Sequence, residues 1–375
     1  MNRRTKIGIL GSLALAALGA VAAPGCAAAT EAEEDAASEE AAVAGRAKLQ
    51  LTDDQRREMV SKKTTCPFVG TALAMKRLFV YGSLSDPVAV IAGAPGSSAL
   101  AKATRGSAVA AGGAGDLAQG FRIVARGNHN TSGSGTKAPE GMFSLDFPSS
   151  LGAHAAHSFI LMGDPRKRDS GRLDENNLHR LIGTIADGGH AERVEGKLVV
   201  RRAELGKFVA RNVACDPNAV TASRSPFALF TMLGRDIAEF TASAASYALT
   251  RVTGSMGEEE KTQLLEDMLK IAVRNNLVGS AAEFGLLTTA LEGSPDAVSL
   301  PGGETALAVD DIELLFAGKK VGGKYDPLTR RLPSNWDTSP KTIARFLVNT
   351  IEIMKVAGIH NLANTYGPND CPSMR

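Results

Sequence analysis

The chain has 375 residues, 44% of them hydrophobic and 22% charged, with 42 basic against 40 acidic residues and a formal net charge of +2. That balance, with no basic stripe interleaved with aromatics, argues against a nucleic-acid-binding protein. Beyond the first thirty or so residues no apolar run is long enough to span a bilayer.

The first segment reads as targeting. Met1 to Lys6 carries Arg3, Arg4 and Lys6, and Ile7 to Ala23 is an apolar run of Leu, Ala, Gly and Val followed at once by small residues. This is the pattern of an export signal, assigned to residues 1–26. Ala23-Pro24-Gly25-Cys26 is similar to a bacterial lipoprotein cleavage box. Under that reading Cys26 is lipidated and anchors the chain to a membrane of the cell envelope. Plain secretion, with cleavage near Ala27-Ala28-Ala29, is the competing reading. Residues 27–60 are assigned to a tether, because Thr30 to Lys48 is rich in Ala, Glu and Asp and lacks aromatics, too little apolar area to offset its chain entropy. Residues 61–375 are long enough for one large domain with a real core or two small ones.

Cys66-Pro67 opens that domain. Proline suits the first position of a helix, where its missing N–H would have had no partner, so Cys66 is expected as the N-cap. Free N–H groups and the positive end of the helix dipole would then lower the thiol pKa and favour a thiolate, a ligand for a metal or haem iron. A disulfide or a small packed apolar residue is the plainer alternative.

Further along, a short helix is predicted over Phe68 to Leu78, an extended piece over Phe79 to Ile91, a Gly-rich irregular stretch over Gly93 to Gly120 and a strand over Phe121 to Arg126. Helical spacing then dominates. Helices are predicted over Asp174 to Ile185, Ala203 to Val213, Pro226 to Val252 with a break near Gly234, Gly257 to Asn275, Ser280 to Leu291, Val309 to Phe316 and Pro340 to Val356. The expected fold is mainly α, a single helical domain with small β pieces near its N-terminal part. No solenoid repeat is present.

If Cys26 is lipidated or removed, Cys66, Cys215 and Cys371 remain. In an exported protein three cysteines leave either no bridge or one bridge and one free thiol. Cys215 with Cys371 is the natural pairing, with Cys66 free.

Other candidates are few. Ser280 and Glu283 match the S-x-x-E capping box, or else Glu283 is a carboxylate facing a cavity from an apolar helix. Leu332-Pro333-Ser334-Asn335-Trp336 holds the sole tryptophan. His154 and His157 could share a helix face but lack a third ligand. His129 reads as a loop residue, and the stretch from Asp169 to Asp174 lacks the alternating acids of a calcium loop.

In order, Cys66-Pro67, Glu283-Phe284-Gly285 followed by an apolar helix, and Leu332-Pro333-Ser334-Asn335-Trp336 resemble the family 2 haem-thiolate peroxidases, the group of chloroperoxidase and the unspecific peroxygenases. The resemblance runs from Thr65 to Lys341 and implies a chloroperoxidase-like fold. It makes Cys66 the proximal ligand of the iron of haem b and Glu283 the distal acid–base. It implies oxidation of small organic substrates with hydrogen peroxide. A monomer is expected. The family's magnesium site has a partial counterpart at Glu195-Gly196, where Lys197 stands in place of an acid and Val199 in place of a serine; Gly163-Asp164 with Ser170, Arg172 and Asp174 is the other counterpart. A cation at position 197 opposes magnesium binding. The reading that stands against the enzyme is a non-enzymatic cell-surface lipoprotein with a helical binding domain.

Overall fold

The computed structural model describes residues 46–90, 115–118, 120–121, 136–139, 141–146, 160–161, 171–215, 226–363 and 371. The export signal with Cys26, the tether up to residue 45, most of the Gly-rich stretch, His129, His154, His157, Gly163, Asp164 and Ser170 lie outside the described residues.

Helix α1 (Asp53–Glu58) starts at Thr52 through a reciprocal capping box with Gln55, and a π-helical turn over Met59–Lys63 continues it. Residues 46–60 therefore belong to the domain and not to the tether. Met59 and Val60 are buried, and the Leu49 N–H donates to the Val80 carbonyl at 2.8 Å. The acidic composition of the segment before residue 49 conceals the apolar anchors that follow it.

Helix α2 (Pro67–Ala74) leads into a three-stranded antiparallel sheet of β1 (Tyr81–Gly82), β2 (Pro87–Val90) and β3 (Met142–Ser144), in that order. Phe121, expected to open a strand, is helical; residues 122–126 lie outside the described part. Next come α3 (Glu175–Ile182), the hairpin of β4 (Ala191–Val194) and β5 (Lys197–Val200), and α4 (Arg202–Cys215). Helix α5 (Pro226–Thr253) runs through Gly234 without the expected break. It is followed by α6 (Glu258–Arg274), α7 (Asn276–Leu291), β6 (Val298–Ser299), β7 (Thr305–Ala308) and α8 (Val309–Phe316). A hairpin of β8 (Lys319–Val321) and β9 (Lys324–Asp326) precedes the last helix, α9 (Ile343–Ala363).

The fold is mainly α. Its β pieces are not confined to the N-terminal part: β4-β5-β7-β6 form an antiparallel sheet in the second half. Two- to four-residue strands carry too short an alternation to register as a pattern in the sequence. No helix among the described residues is long and apolar enough to cross a membrane.

Helix α7 is central and packs against α9, α4 and α6. All but three of its residues are buried, so it shows no amphipathic stripe. Gly285 sets its approach to α9: a Cβ there would run into Oγ1 of Thr350 and lie 2.8 Å from the Thr350 backbone nitrogen. Gly285→Ala is therefore expected to lower stability by roughly 1–3 kcal/mol, measured by denaturant titration, because two backbones must part to admit one methyl group.

Cys215, the last residue of α4, is bonded to Cys371 beyond α9, and Cys66 is the free cysteine of the described residues. The bridge closes 156 residues, so reducing it is expected to lower stability by about 2–5 kcal/mol, read as a fall in the unfolding midpoint.

Candidate functional site

Cys66 is the N-cap of α2, with φ −75° and ψ 119°, and Pro67 occupies the first turn. Every residue of α2 is buried, and Cys66 itself is 7% exposed. The expected pKa does not follow from this placement. Burial, first, and then the negative charge of Glu283 push the Cys66 thiol up from 9.0 to about 12. The N–H groups of Val69 and Phe68 act the other way and are outweighed. A helix N-terminus stabilises a thiolate only within the limits that desolvation leaves it. Without a bound cation, Cys66 is a neutral thiol.

The shift has a consequence for stability. Between the unfolded pKa near 9.0 and the folded value near 12 the unfolded chain has lost the proton and the folded chain retains it. Stability is therefore expected to fall as pH rises through this window, by up to about 4 kcal/mol, and to fall less in Cys66→Ala. Paired denaturant titrations at pH 8 and pH 11 measure the difference.

Glu283 lies in the middle of α7. The N-cap of that helix is Asn275, whose side chain accepts from the N–H groups of Leu277 and Val278 at 3.1 and 3.2 Å. The capping-box reading of Ser280 and Glu283 is thereby removed, since both stand inside the helix. Ser280 is fully buried and Glu283 half-buried. Phe284 beside it meets Phe208 of α4 edge-on at 5.6 Å. The glycine of Glu283-Phe284-Gly285 is accounted for by the packing of α7 on α9.

The third segment connects the other two. Trp336 is 2% exposed and stacks on Phe68 of α2 at 6.0 Å and 22°. The Leu332 N–H donates to Sδ of Met75, at the end of α2. Asn335 donates through Nδ2 to the Gly293 carbonyl, just past the end of α7, at 2.6 Å. Lys341 lies over the indole with Nζ 4.2 Å from its centroid and donates to the Trp336 and Ser339 carbonyls. Burial lowers the pKa of Lys341 to about 8. Leu332 to Trp336 is thus a strap between the Cys66 helix and the Glu283 helix.

Glu195 is not part of this site. It occupies the exposed turn of the β4–β5 hairpin with φ 51°, followed by Gly196 with φ 81°, the left-handed pair that a two-residue hairpin demands. Lys197 pairs with Asp296 at 3.5 Å on the surface. Asp174 caps α3, accepting from the Asn177 N–H. Among the described residues no group of three His, Cys, Asp or Glu side chains could hold a metal ion. The Glu-Gly pair at Glu195 is turn chemistry. Glu204, farther along the same stretch, bonds His190 at 3.1 Å and Lys207 at 2.6 Å, and these partners hold its carboxyl down at about 2.

Two features had no signal in the sequence. Arg330 is buried at 1% exposure beside α2, and nothing in Thr329-Arg330-Arg331 announces that. A cleft of about 420 Å³ brings Arg202, Glu304, Arg345 and Glu352 together from three distant segments, beside Val348, Ile351 and Val356. Compared with known proteins, the chain matches no family model, no curated protein and no solved structure.

Proposed function

We propose that this chain is an exported haem-thiolate peroxidase or peroxygenase with a chloroperoxidase-like domain, held at the cell envelope through Cys26 or secreted. The observation that carries the reading is the electrostatic reach of Glu283 to Cys66. They are far apart in sequence, yet close enough that the carboxylate raises the pKa of the thiol. The strap from Leu332 to Trp336 fastens the helices that bear them.

The donor set suits haem b. Cys66 is a soft sulfur ligand with two backbone N–H groups directed at it, set among apolar side chains. A bound cation deprotonates a thiol that burial keeps neutral. Magnesium finds no such set, and no step is assigned to it. Haem, when bound, supplies the oxidation chemistry of a peroxide, favoured by electron density from a thiolate.

The chain's own part is to position and to move a proton. Cys66 provides the sulfur, and the N–H groups of Phe68 and Val69 temper its charge. The Glu283 carboxylate takes the proton from an incoming hydrogen peroxide and returns it to the departing oxygen. At 7% exposure the Cys66 thiol is closed off from water.

Titration of the purified protein with haem tests the reading. A reduced, carbon monoxide-treated sample is expected to show its Soret band at the long-wavelength thiolate position. A protein that takes up no haem would instead favour the surface-lipoprotein reading, for which the cleft at Arg202, Glu304 and Arg345 is the binding site.

A further inference from the structure

Arg330 is the most anomalous charge in the molecule. It is 1% exposed, and Nε and Nη1 of its guanidinium have no hydrogen-bond partner. Among the described residues no carboxylate pairs with it. Its pKa falls to about 10 from burial alone, so it is charged at neutral pH. An isolated buried cation is among the costliest groups a fold can carry, and it persists where a counter-charge compensates it.

Its position indicates where that counter-charge comes from. A Cβ built on Gly70 would sit 3.1 Å from Nη1 and 3.7 Å from Cγ2 of Thr64, so the guanidinium rests against the bare backbone of α2. The Gly70 N–H donates to the Cys66 carbonyl at 2.9 Å. Arg330 therefore lies about one helical turn along α2 from Cys66. A guanidinium presents a planar fork that matches a carboxylate, with two charge-assisted hydrogen bonds.

We propose that Arg330 anchors a carboxylate of the ligand that Cys66 meets, which, resting on the haem reading, is a haem propionate. The pairing would supply the missing counter-charge.

The test compares binding of haem and of its dimethyl ester, which has no free carboxylate, to wild type, Arg330→Met and Arg330→Lys, each followed by Soret titration. Wild type is expected to bind haem roughly ten- to a hundredfold more tightly than the diester. Arg330→Met is expected to bind both equally, and Arg330→Lys, which keeps the charge without the fork, to lie between. Equal binding of the two by wild type, or a preference retained in Arg330→Met, overturns the proposal and leaves the haem reading standing. If no variant binds haem, that reading falls, and thermal unfolding in acetate against chloride at matched ionic strength decides. A wild-type stabilisation by acetate that Arg330→Met lacks supports a carboxylate site at Arg330; equal shifts in both proteins overturn it.

Discussion

Cys66→Ala is expected to abolish the long-wavelength Soret band of the reduced, carbon monoxide-treated protein and, with it, turnover of peroxide. Cys66 is the free cysteine of the described residues, so no second sulfur replaces it at the start of α2. Removing the proposed ligand from among Phe68, Val69 and the neighbouring core leaves a small apolar space and no donor. The fold should tolerate the change, because alanine removes a single buried atom and the thiol it replaces is neutral in the ligand-free state. Far-UV circular dichroism and the unfolding midpoint at neutral pH should move little, while the spectral signature is lost. An unchanged Soret band in Cys66→Ala would place the iron elsewhere and end the assignment.

Glu283→Gln is expected to cut kcat/KM for hydrogen peroxide by roughly 10²- to 10⁴-fold, the range for loss of a positioned acid–base. The Soret band should persist, because the sulfur ligand is untouched. A second readout separates a proton-transfer role from a structural one. Since Glu283 is one of the two causes that raise the Cys66 pKa, removing its charge should lower that value in the ligand-free protein. The alkaline titration of thiolate absorbance reports this directly. The loss of activity in Glu283→Gln should also flatten the acidic limb of the pH–rate profile. A variant with wild-type turnover and an unmoved thiol would show that Glu283 is an ordinary half-buried residue of a packed helix.

Much of the helical layout was legible because it depends on local rules. Asp174 is a side-chain cap, and α3 and α6 show the periodic stripe that a half-buried surface imposes. Legibility failed at α7, whose start at Asn276 precedes the expected Ser280, because a helix buried on nearly all sides has no polar face to mark its register. It failed also for β4 to β9, where strands of two to four residues owe their existence to partners rather than to their own pattern. The Glu195-Gly196 pair was ambiguous for a related reason: a carboxylate followed by glycine suits a hairpin turn as well as a metal site, and the pairing of β4 with β5 places it in a turn.

By itself the sequence pointed to Cys66 as the start of a helix, since Pro67 is best tolerated in a first turn, and to a mainly helical domain after it. The tertiary structure alone decided what that cysteine is. It placed Cys66 in the interior, where desolvation outweighs the helix dipole, and brought Glu283 near it. It strapped the two helices together through Trp336 and set the Arg330 guanidinium one turn away. Burial and long-range charge depend on which segments share a volume, and no local pattern of residues encodes that.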